Sequence, residues 1–210
     1  MAKKSSSRYG KNHGGRKAKG ENIKIIQKDI DFLKDLNNCG RMQEHHLQEH
    51  NIPTSRASKM VWDGYIEKKC DDKGNPTWNI TKEGREVLAK KTGEDIYSYK
   101  AQGMNSRYHH DLKLADLNSE LTREERNTWM NEGQLRQMWE NHLQEVKAKD
   151  PEEYLRLSEL NVSPPDGAYI TSSGEVVAVE VISRWYTEEM IQAKITFCQE
   201  MNMTFQGYRC

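Results

Sequence analysis

Val176-Val177-Ala178-Val179-Glu180-Val181-Ile182 is an apolar run that contains a single charged residue. A run of this kind predicts a strand that is covered on both faces, at the centre of a sheet. An ionised carboxylate buried in such a strand is costly unless a cation, a metal ion or a set of hydrogen bonds compensates its charge. Glu180 is therefore the first candidate for a functional residue in this chain.

Asp166 is the best candidate partner for Glu180, at the start of a second short extended segment that follows Pro165. If the two segments form a hairpin with a three-residue loop at 172–174, Gly174 takes the left-handed conformation and position 166 lies opposite position 180, on the same face. A two-residue loop would instead send the two carboxylates to opposite faces. The sequence allows the first register without excluding the second.

Two further residues complete the candidate site. Glu132 begins a predicted long helix, and Lys194 lies in the final predicted helix. Glu132, Asp166 and Glu180 could together hold a hard, oxygen-preferring ion such as Mg²⁺ or Mn²⁺, which would polarise a phosphodiester and activate water. Lys194 would stabilise the charge that develops on the phosphate. The alternatives are that Glu132 only compensates a helix dipole and that Lys194 is solvated.

The charge of the chain is unevenly distributed. The 210 residues include 32 basic and 32 acidic side chains, yet residues 1–20 carry seven Lys and Arg and no acid, whereas residues 93–210 carry 12 basic and 20 acidic side chains. A basic, disordered arm at 1–20 is typical of a chain whose front end meets a polyanion such as nucleic acid; a merely solvated tail is the alternative. The sequence has no apolar stretch of signal-peptide or membrane-spanning length, so we expect a cytoplasmic protein with no membrane partner.

Residues 21–93 are predicted to form a first domain. Ile23, Ile26 and later apolar residues at helical spacing predict a first helix that ends near Gly40. A short second helix and a third helix that Thr54 or Ser55 caps are predicted after it. A hairpin with a polar tip at 71–75 and a helix capped by Thr81 follow. This order of elements is that of a winged helix-turn-helix.

In that interpretation the third helix enters the major groove of double-stranded DNA and the hairpin reaches the phosphates. The predicted DNA-binding residues are Thr54, Ser55, Arg56, Ser58 and Lys59 on the helix and Lys68, Lys69 and Lys73 on the hairpin. A winged helix that makes only protein contacts is the alternative, because the region is close to neutral.

A linker at 94–104 is predicted to lead into a second domain at 105–210, a small mixed-sheet unit of the α+β or α/β class. Its predicted elements are two helices, the second of which begins at the capping-box pattern Thr122-Arg123-Glu124-Glu125, a short strand near Trp129, the long helix from Glu132, the hairpin that carries the acids, a last helix and an ending strand. The acidic stretch 151–163 is assigned to no element. His45 and His46 are predicted to be surface residues. His109-His110-Asp111 could form a second polar cluster, and an exposed or helix-packing role is the alternative.

Glu132, Pro165-Asp166 and Val179-Glu180-Val181 together resemble the PD-(D/E)xK nuclease fold. The wider arrangement is similar to the replication-relaxation family of plasmids and mobile elements, on three further features: His110-Asp111-Leu112, the step from Trp129 to Glu132, and the region at 21–93 ahead of them. The resemblance covers about residues 22–205. It implies an N-terminal winged helix followed by a nuclease-like domain.

One position departs from that pattern. The fold implies a lysine two residues after the strand acid, and this chain has Ile182 there. Lys194 could replace it from the following helix, as migrated lysines do in some branches of the fold. Three functions therefore stay open. The first is a metal-dependent nuclease-like protein of a mobile element, plasmid or phage that acts in DNA processing or replication control. The second is a transcriptional regulator whose inactive domain mediates homodimerisation or partner binding. A protein-only adaptor is a third.

Overall fold

The computed structural model describes residues 22–71, 73–97, 99 and 108–210. The predicted basic arm at 1–20, and residues 98 and 100–104 of the predicted linker, lie outside the described residues. Within the described part the chain is a mixed α+β fold, as predicted, with one two-stranded and one four-stranded sheet. None of the described helices is long and apolar enough to cross a membrane.

The first part of the chain contains three helices, a hairpin and a fourth helix. Their bounds are α1 (Gln27–Cys39), α2 (Glu44–Glu49), α3 (Thr54–Trp62), β1 (Ile66–Cys70), β2 (Pro76–Ile80) and α4 (Lys82–Thr92). Gly40 ends α1 with a φ of 78°, and Thr81 caps α4 by accepting the N–H of Gly84 at 3.0 Å, both as predicted.

Two predicted helix starts in this part were wrong. The prediction placed Ile23 and Ile26 in the first helix, but α1 begins at Gln27, because the Asp29 carboxylate accepts the N–H of Ile26 at 2.8 Å and caps the helix there. Neither Thr54 nor Ser55 caps α3. The extended Pro53 precedes it, and its carbonyl accepts the N–H of Ala57.

The second part of the chain supplies the larger sheet and the helices around it. Their bounds are α5 (Tyr108–Ser119), α6 (Arg123–Asn127), β3 (Met130–Asn131), α7 (Glu132–Lys149), α8 (Pro151–Glu159), β4 (Gly167–Ile170), β5 (Val176–Ile182), α9 (Glu188–Glu200) and β6 (Thr204–Arg209). The sequence left 151–163 without an assignment. Asp150 caps α8 there with hydrogen bonds from the N–H groups of Glu152 and Glu153.

The strand order in this sheet is β3-β4-β5-β6, so β5 is an interior strand, as predicted. β4 pairs with β5 in antiparallel fashion, and Gly167 lies opposite Val179. β6 pairs with β5 in parallel, because α9 returns the chain to the starting end of β5. Gly174 has a φ of 85°, and the register is the one that a three-residue loop predicts. Position 166 is therefore next to position 180, at the end of the ladder.

Two hydrophobic clusters cover the two faces of β5. Val179 and Val181 pack in the cluster that also contains Leu36, Trp78 and Leu114. Ala178, on the opposite face, packs with Leu135, Trp139 and Phe197 beneath α7 and α9. The first cluster includes residues from both predicted domains, and the predicted domain boundaries stay a prediction. Because side chains alternate along a strand, Glu180 lies on the face of Ala178, towards α7 and α9.

Candidate functional site

Glu180 is completely buried, and both of its carboxylate oxygens have partners. Oε2 accepts the backbone N–H of Asp166 at 2.9 Å. Oε1 accepts the hydroxyl of Tyr186 at 2.6 Å and lies 3.1 Å from Nζ of Lys194. The charge is thus compensated by one cation and two hydrogen bonds, which is the condition under which a carboxylate is tolerated in a strand interior.

Asp166 is 6% exposed, and its carboxylate contacts the backbone of β5, the strand that carries Glu180. Its Oδ2 accepts the N–H of Val181 at 2.8 Å and lies 3.0 Å from Nε2 of His110. Each acid therefore binds a backbone N–H at or next to the other acid. These two hydrogen bonds join the strands just beyond the last backbone pair of the β4–β5 ladder. This arrangement requires the three-residue hairpin loop, since a shift by one residue would place the acids on opposite faces.

Lys194 reaches the site from α9, where it is 8% exposed. Besides its ion pair with Glu180, its Nζ donates to the carbonyl of Pro164 at 2.8 Å, two residues before Asp166. The crossover from β5 through α9 to β6 is what brings this lysine back over the sheet. The structure thus brings together three of the four predicted catalytic residues in direct contact.

Glu132, the fourth, lies at the rim of the same site. It is the first residue of α7, its backbone N–H donates to the carbonyl of Asp166 at 3.1 Å, and its carboxylate pairs with Arg136 at 2.6 Å. A cavity of about 340 Å³ is lined by Glu132 together with Asp166, Lys194 and Tyr186. Glu180 does not line this cavity and lies behind Lys194 and Tyr186.

The protonation of the site follows from its burial. Burial, reinforced by the charge of Asp166, raises the pKa of Glu180 to about 7, although Lys194 and Tyr186 oppose the shift. A carboxyl group with a pKa near neutrality exchanges its proton under physiological conditions, which is a property frequent in functional sites and also present in structural ion pairs.

His110, Asp111 and Tyr99 form a second polar layer behind Asp166. The sequence allowed a polar cluster at 109–111 but did not connect it to Asp166. His110 and Asp111 are 3% and 0% exposed, so the prediction of an exposed position was wrong for these two residues. Burial lowers the pKa of His110, but Asp111 and Asp166 more than offset this and raise it to about 9. The signal available in the sequence was a His-Asp pair in a helix that also carries apolar residues.

A hard divalent cation fits part of the predicted ligand set. Oδ1 of Asp166 accepts no hydrogen bond from the described residues, and Asp166 and Glu132 share a cavity, so both could hold Mg²⁺ or Mn²⁺. Glu180 fits less directly, because both of its oxygens already have donors. It could reach an ion only if Lys194 or Tyr186 moved, and otherwise it acts by orienting the backbone of Asp166.

The predicted DNA-binding residues divide into exposed and internally bound groups. Thr54, Ser55, Ser58 and Lys59 are exposed on one side of α3, next to Trp62, which is 67% exposed. Arg56 is different, because its guanidinium binds the buried Asp29 and the carbonyl of Lys24. We therefore assign it a structural role in place of the predicted DNA contact.

The hairpin lysines divide in the same way. Lys68 and Lys73 are exposed, whereas Lys69 is half-buried and pairs with Glu67. The surface available for a polyanion is thus smaller than the sequence suggested.

His45, His46 and Asp116 form another cluster, in which His46 is buried and not a surface residue as predicted. Both Nε2 atoms lie near Oδ1 of Asp116, at 3.0 and 3.2 Å. However, Nδ1 of His46 accepts the N–H of Gln43, so in the neutral ring Nε2 carries the proton and has no lone pair for a metal. Burial lowers the pKa of His46 to about 4, which keeps the ring neutral. The cluster therefore does not fit a metal site.

Comparison with known proteins identifies no relative. No protein-family model matches the sequence, and neither a curated protein nor a solved structure is significantly similar to it. The resemblance to the replication-relaxation family stays a prediction.

Proposed function

We propose that this chain is a DNA-binding protein of a mobile element, plasmid or phage that acts in DNA processing or replication control. In this proposal residues 21–93 are a winged helix-turn-helix, and residues 105–210 are a PD-(D/E)xK nuclease-like unit that cleaves phosphodiesters with Mg²⁺ or Mn²⁺. The observation that carries it is the convergence of Asp166, Glu180 and Lys194 beside a cavity that Glu132 also lines.

The chemistry follows from the positions of these groups. A bound divalent cation would polarise the phosphodiester and lower the pKa of an attacking water. Asp166, immediately before β4, and Glu132, at the start of α7, offer oxygen ligands. Lys194 lines the cavity, where its ammonium group would stabilise negative charge on a phosphate oxygen. Glu180, through the N–H of Asp166, holds the backbone of its neighbour in place.

The winged-helix part of the proposal rests on the first six elements. The order α1-α2-α3-β1-β2-α4 supports it, and so do the exposed polar residues along α3. Lys59 on α3 and Lys68 and Lys73 on the hairpin are the exposed cations that we propose contact phosphate.

The test is a nicking assay on supercoiled plasmid with Mg²⁺ and with Mn²⁺. We expect the wild type to nick only with a divalent cation, and we expect Asp166→Ala and Glu180→Ala to reduce nicking to background. Glu188→Ala is the matched control, because it removes an exposed acid from the same helix as Lys194 but outside the cavity. Equal nicking by Asp166→Ala and the wild type would reject the enzymatic function.

A second function is favoured by one specific observation. Both oxygens of Glu180 are already bound by groups of the protein, and Ile182 occupies the position where the fold implies a lysine. A chain with these features could be a winged-helix transcriptional regulator whose second domain is inactive. Tight binding to a specific duplex sequence without cleavage, and unchanged in Asp166→Ala, would favour this alternative.

A further inference from the structure

We infer that His110 is the positioning residue of Asp166, and that its imidazole determines which carboxylate oxygen Asp166 presents to the cavity. The inference rests on the proposed function, because it assigns a partner to the acid that we propose as a metal ligand. It adds a residue, from a different helix, to the predicted set of three acids and one lysine.

The first observation is that two donors converge on the same oxygen of Asp166. Oδ2 accepts the N–H of Val181 at 2.8 Å and lies 3.0 Å from Nε2 of His110. Oδ1 accepts no hydrogen bond from the described residues, and Asp166 lines the cavity. A carboxylate held by two donors on one oxygen cannot rotate freely, so it offers Oδ1 as a single, fixed ligand atom.

The second observation is that His110 is itself held at its other nitrogen. Nδ1 lies 3.3 Å from the Tyr99 hydroxyl and 3.5 Å from Oδ1 of Asp111, and the same hydroxyl donates to Asp111 at 3.3 Å. Asp111 is fully buried and forms no other ion pair within the described residues. The imidazole is therefore fixed in one orientation between two carboxylates. Groups that orient a metal ligand in this way commonly change metal affinity or activity by about 10–100-fold when they are removed.

The third observation concerns α5, the helix that carries His110. Gln43, next to α2, donates to the hydroxyl of Tyr108 at 3.2 Å, and Asp116 lies within 3.2 Å of His45 and His46. These contacts hold α5, the helix that carries His110, against the first part of the chain.

The experiment measures Mn²⁺ binding by the intact protein, with free Mn²⁺ followed by electron paramagnetic resonance. His110→Leu keeps an apolar side chain in the space but removes the donor, and we expect the Kd for Mn²⁺ to rise by about 10–100-fold. His110→Gln keeps an N–H donor, so its Kd should stay closest to that of the wild type. His109→Leu is the matched control, since His109 is exposed on the same turn and should bind Mn²⁺ like the wild type.

The outcomes separate the inference from the proposed function. If the wild type binds Mn²⁺ and His110→Leu binds it equally well, the positioning role is rejected while the metal site stands. Equal weakening in His110→Leu and His110→Gln would assign the effect to packing and would also reject a donor role. If the wild type binds no Mn²⁺, the metal function falls and the inference falls with it. Thermal unfolding monitors folding, and His110→Asn, whose amide is too short to reach Asp166, replaces His110→Leu if that variant does not fold.

Discussion

The ammonium group of Lys194 lies 3.1 Å from Oε1 of Glu180, although the two residues come from a helix and an interior strand. Glu180 is completely buried and Lys194 nearly so, and no other cation pairs with Glu180 among the described residues. The apolar strand tolerates this acid because the following helix, α9, places the ammonium group of Lys194 beside it.

Lys194→Met should destabilise the protein by about 3–5 kcal/mol, because it leaves a buried carboxylate without its cation. The free energy of unfolding, measured with urea, gives the comparison. The double variant Lys194→Met, Glu180→Gln should recover much of the loss, since neither partner is then charged. A double variant no more stable than Lys194→Met would show that the two residues do not form an energetic pair.

The stability of the protein should depend on pH through Glu180. Its pKa is raised to about 7 in the folded chain, from an ordinary value of 4.5. The folded state then binds the proton more tightly than the unfolded state, so the contribution of Glu180 is fully favourable below about pH 4.5 and is lost as the pH rises through 7. The slope is at most about 1.4 kcal/mol per pH unit.

Glu180→Gln provides the reference for this titration. Urea unfolding between pH 4.5 and 8 should show the wild type losing stability relative to the variant over this interval. His110, whose pKa is raised to about 9, is present in both proteins and adds its own loss of stability between about pH 6.5 and 9. Parallel curves for the two proteins would argue against a shifted Glu180.

Replacement of Arg56 should lower the stability of the protein, whereas replacement of Lys59 should weaken its DNA binding. Arg56→Ala leaves the fully buried Asp29 without its cation, and we expect a loss of about 3 kcal/mol or more in the free energy of unfolding. Lys59→Ala changes an exposed residue, and its stability should stay within about 0.5 kcal/mol of the wild type. In DNA binding, Lys59→Ala should weaken affinity and reduce the dependence of log K on log salt by about one unit. Unchanged DNA affinity in Lys59→Ala would remove α3 from the proposed interface.

Gly167→Ala should disturb the site although it adds a single methyl group. A Cβ at this position would lie 2.3 Å from Cζ2 of Trp129, a buried side chain with little room to move. Overpacking of this kind typically costs about 1–3 kcal/mol, and here it displaces the residue next to Asp166. Thermal unfolding and nicking would both report the change. Gly174→Ala, in the hairpin loop, is the comparison: it has open space around it but a left-handed φ, so it should lower stability and leave nicking per folded molecule unchanged.

The sequence predicted most of the elements because their signals are local. The hairpin at Ile66–Ile80, the Thr81 cap and the Thr122–Glu125 capping box depend on residues within a few positions of each other. The helix at Pro151–Glu159 was not predicted. Its two start signals, the Asp150 cap and Pro151 at the first position, were obscured by the acidic composition around them. The cap of α3 was misplaced because the extended Pro53 occupies the N-cap position, and no side chain caps this helix.

The candidate site was predictable in part. The apolar strand around Glu180 and the loop ending in Gly174 allowed two registers, and the structure has the one that places Asp166 beside Glu180. The role of Arg56 was not predictable, since only the packing of α3 near α1 shows that its guanidinium binds the buried Asp29.

By itself, the sequence determined that a buried acid would stand in an interior strand, and it allowed a register in which a second acid faces it across a short hairpin. Both follow from hydrophobic patterning and turn chemistry, which act over a few residues. Only the tertiary structure decided how the two charges are balanced. Lys194, His110 and Tyr186 reach the acids from α9, α5 and the loop between β5 and α9, and for the first two the contacts join positions far apart in the chain. Such contacts depend on how helices pack against the sheet, and one sequence carries no local signal for that geometry.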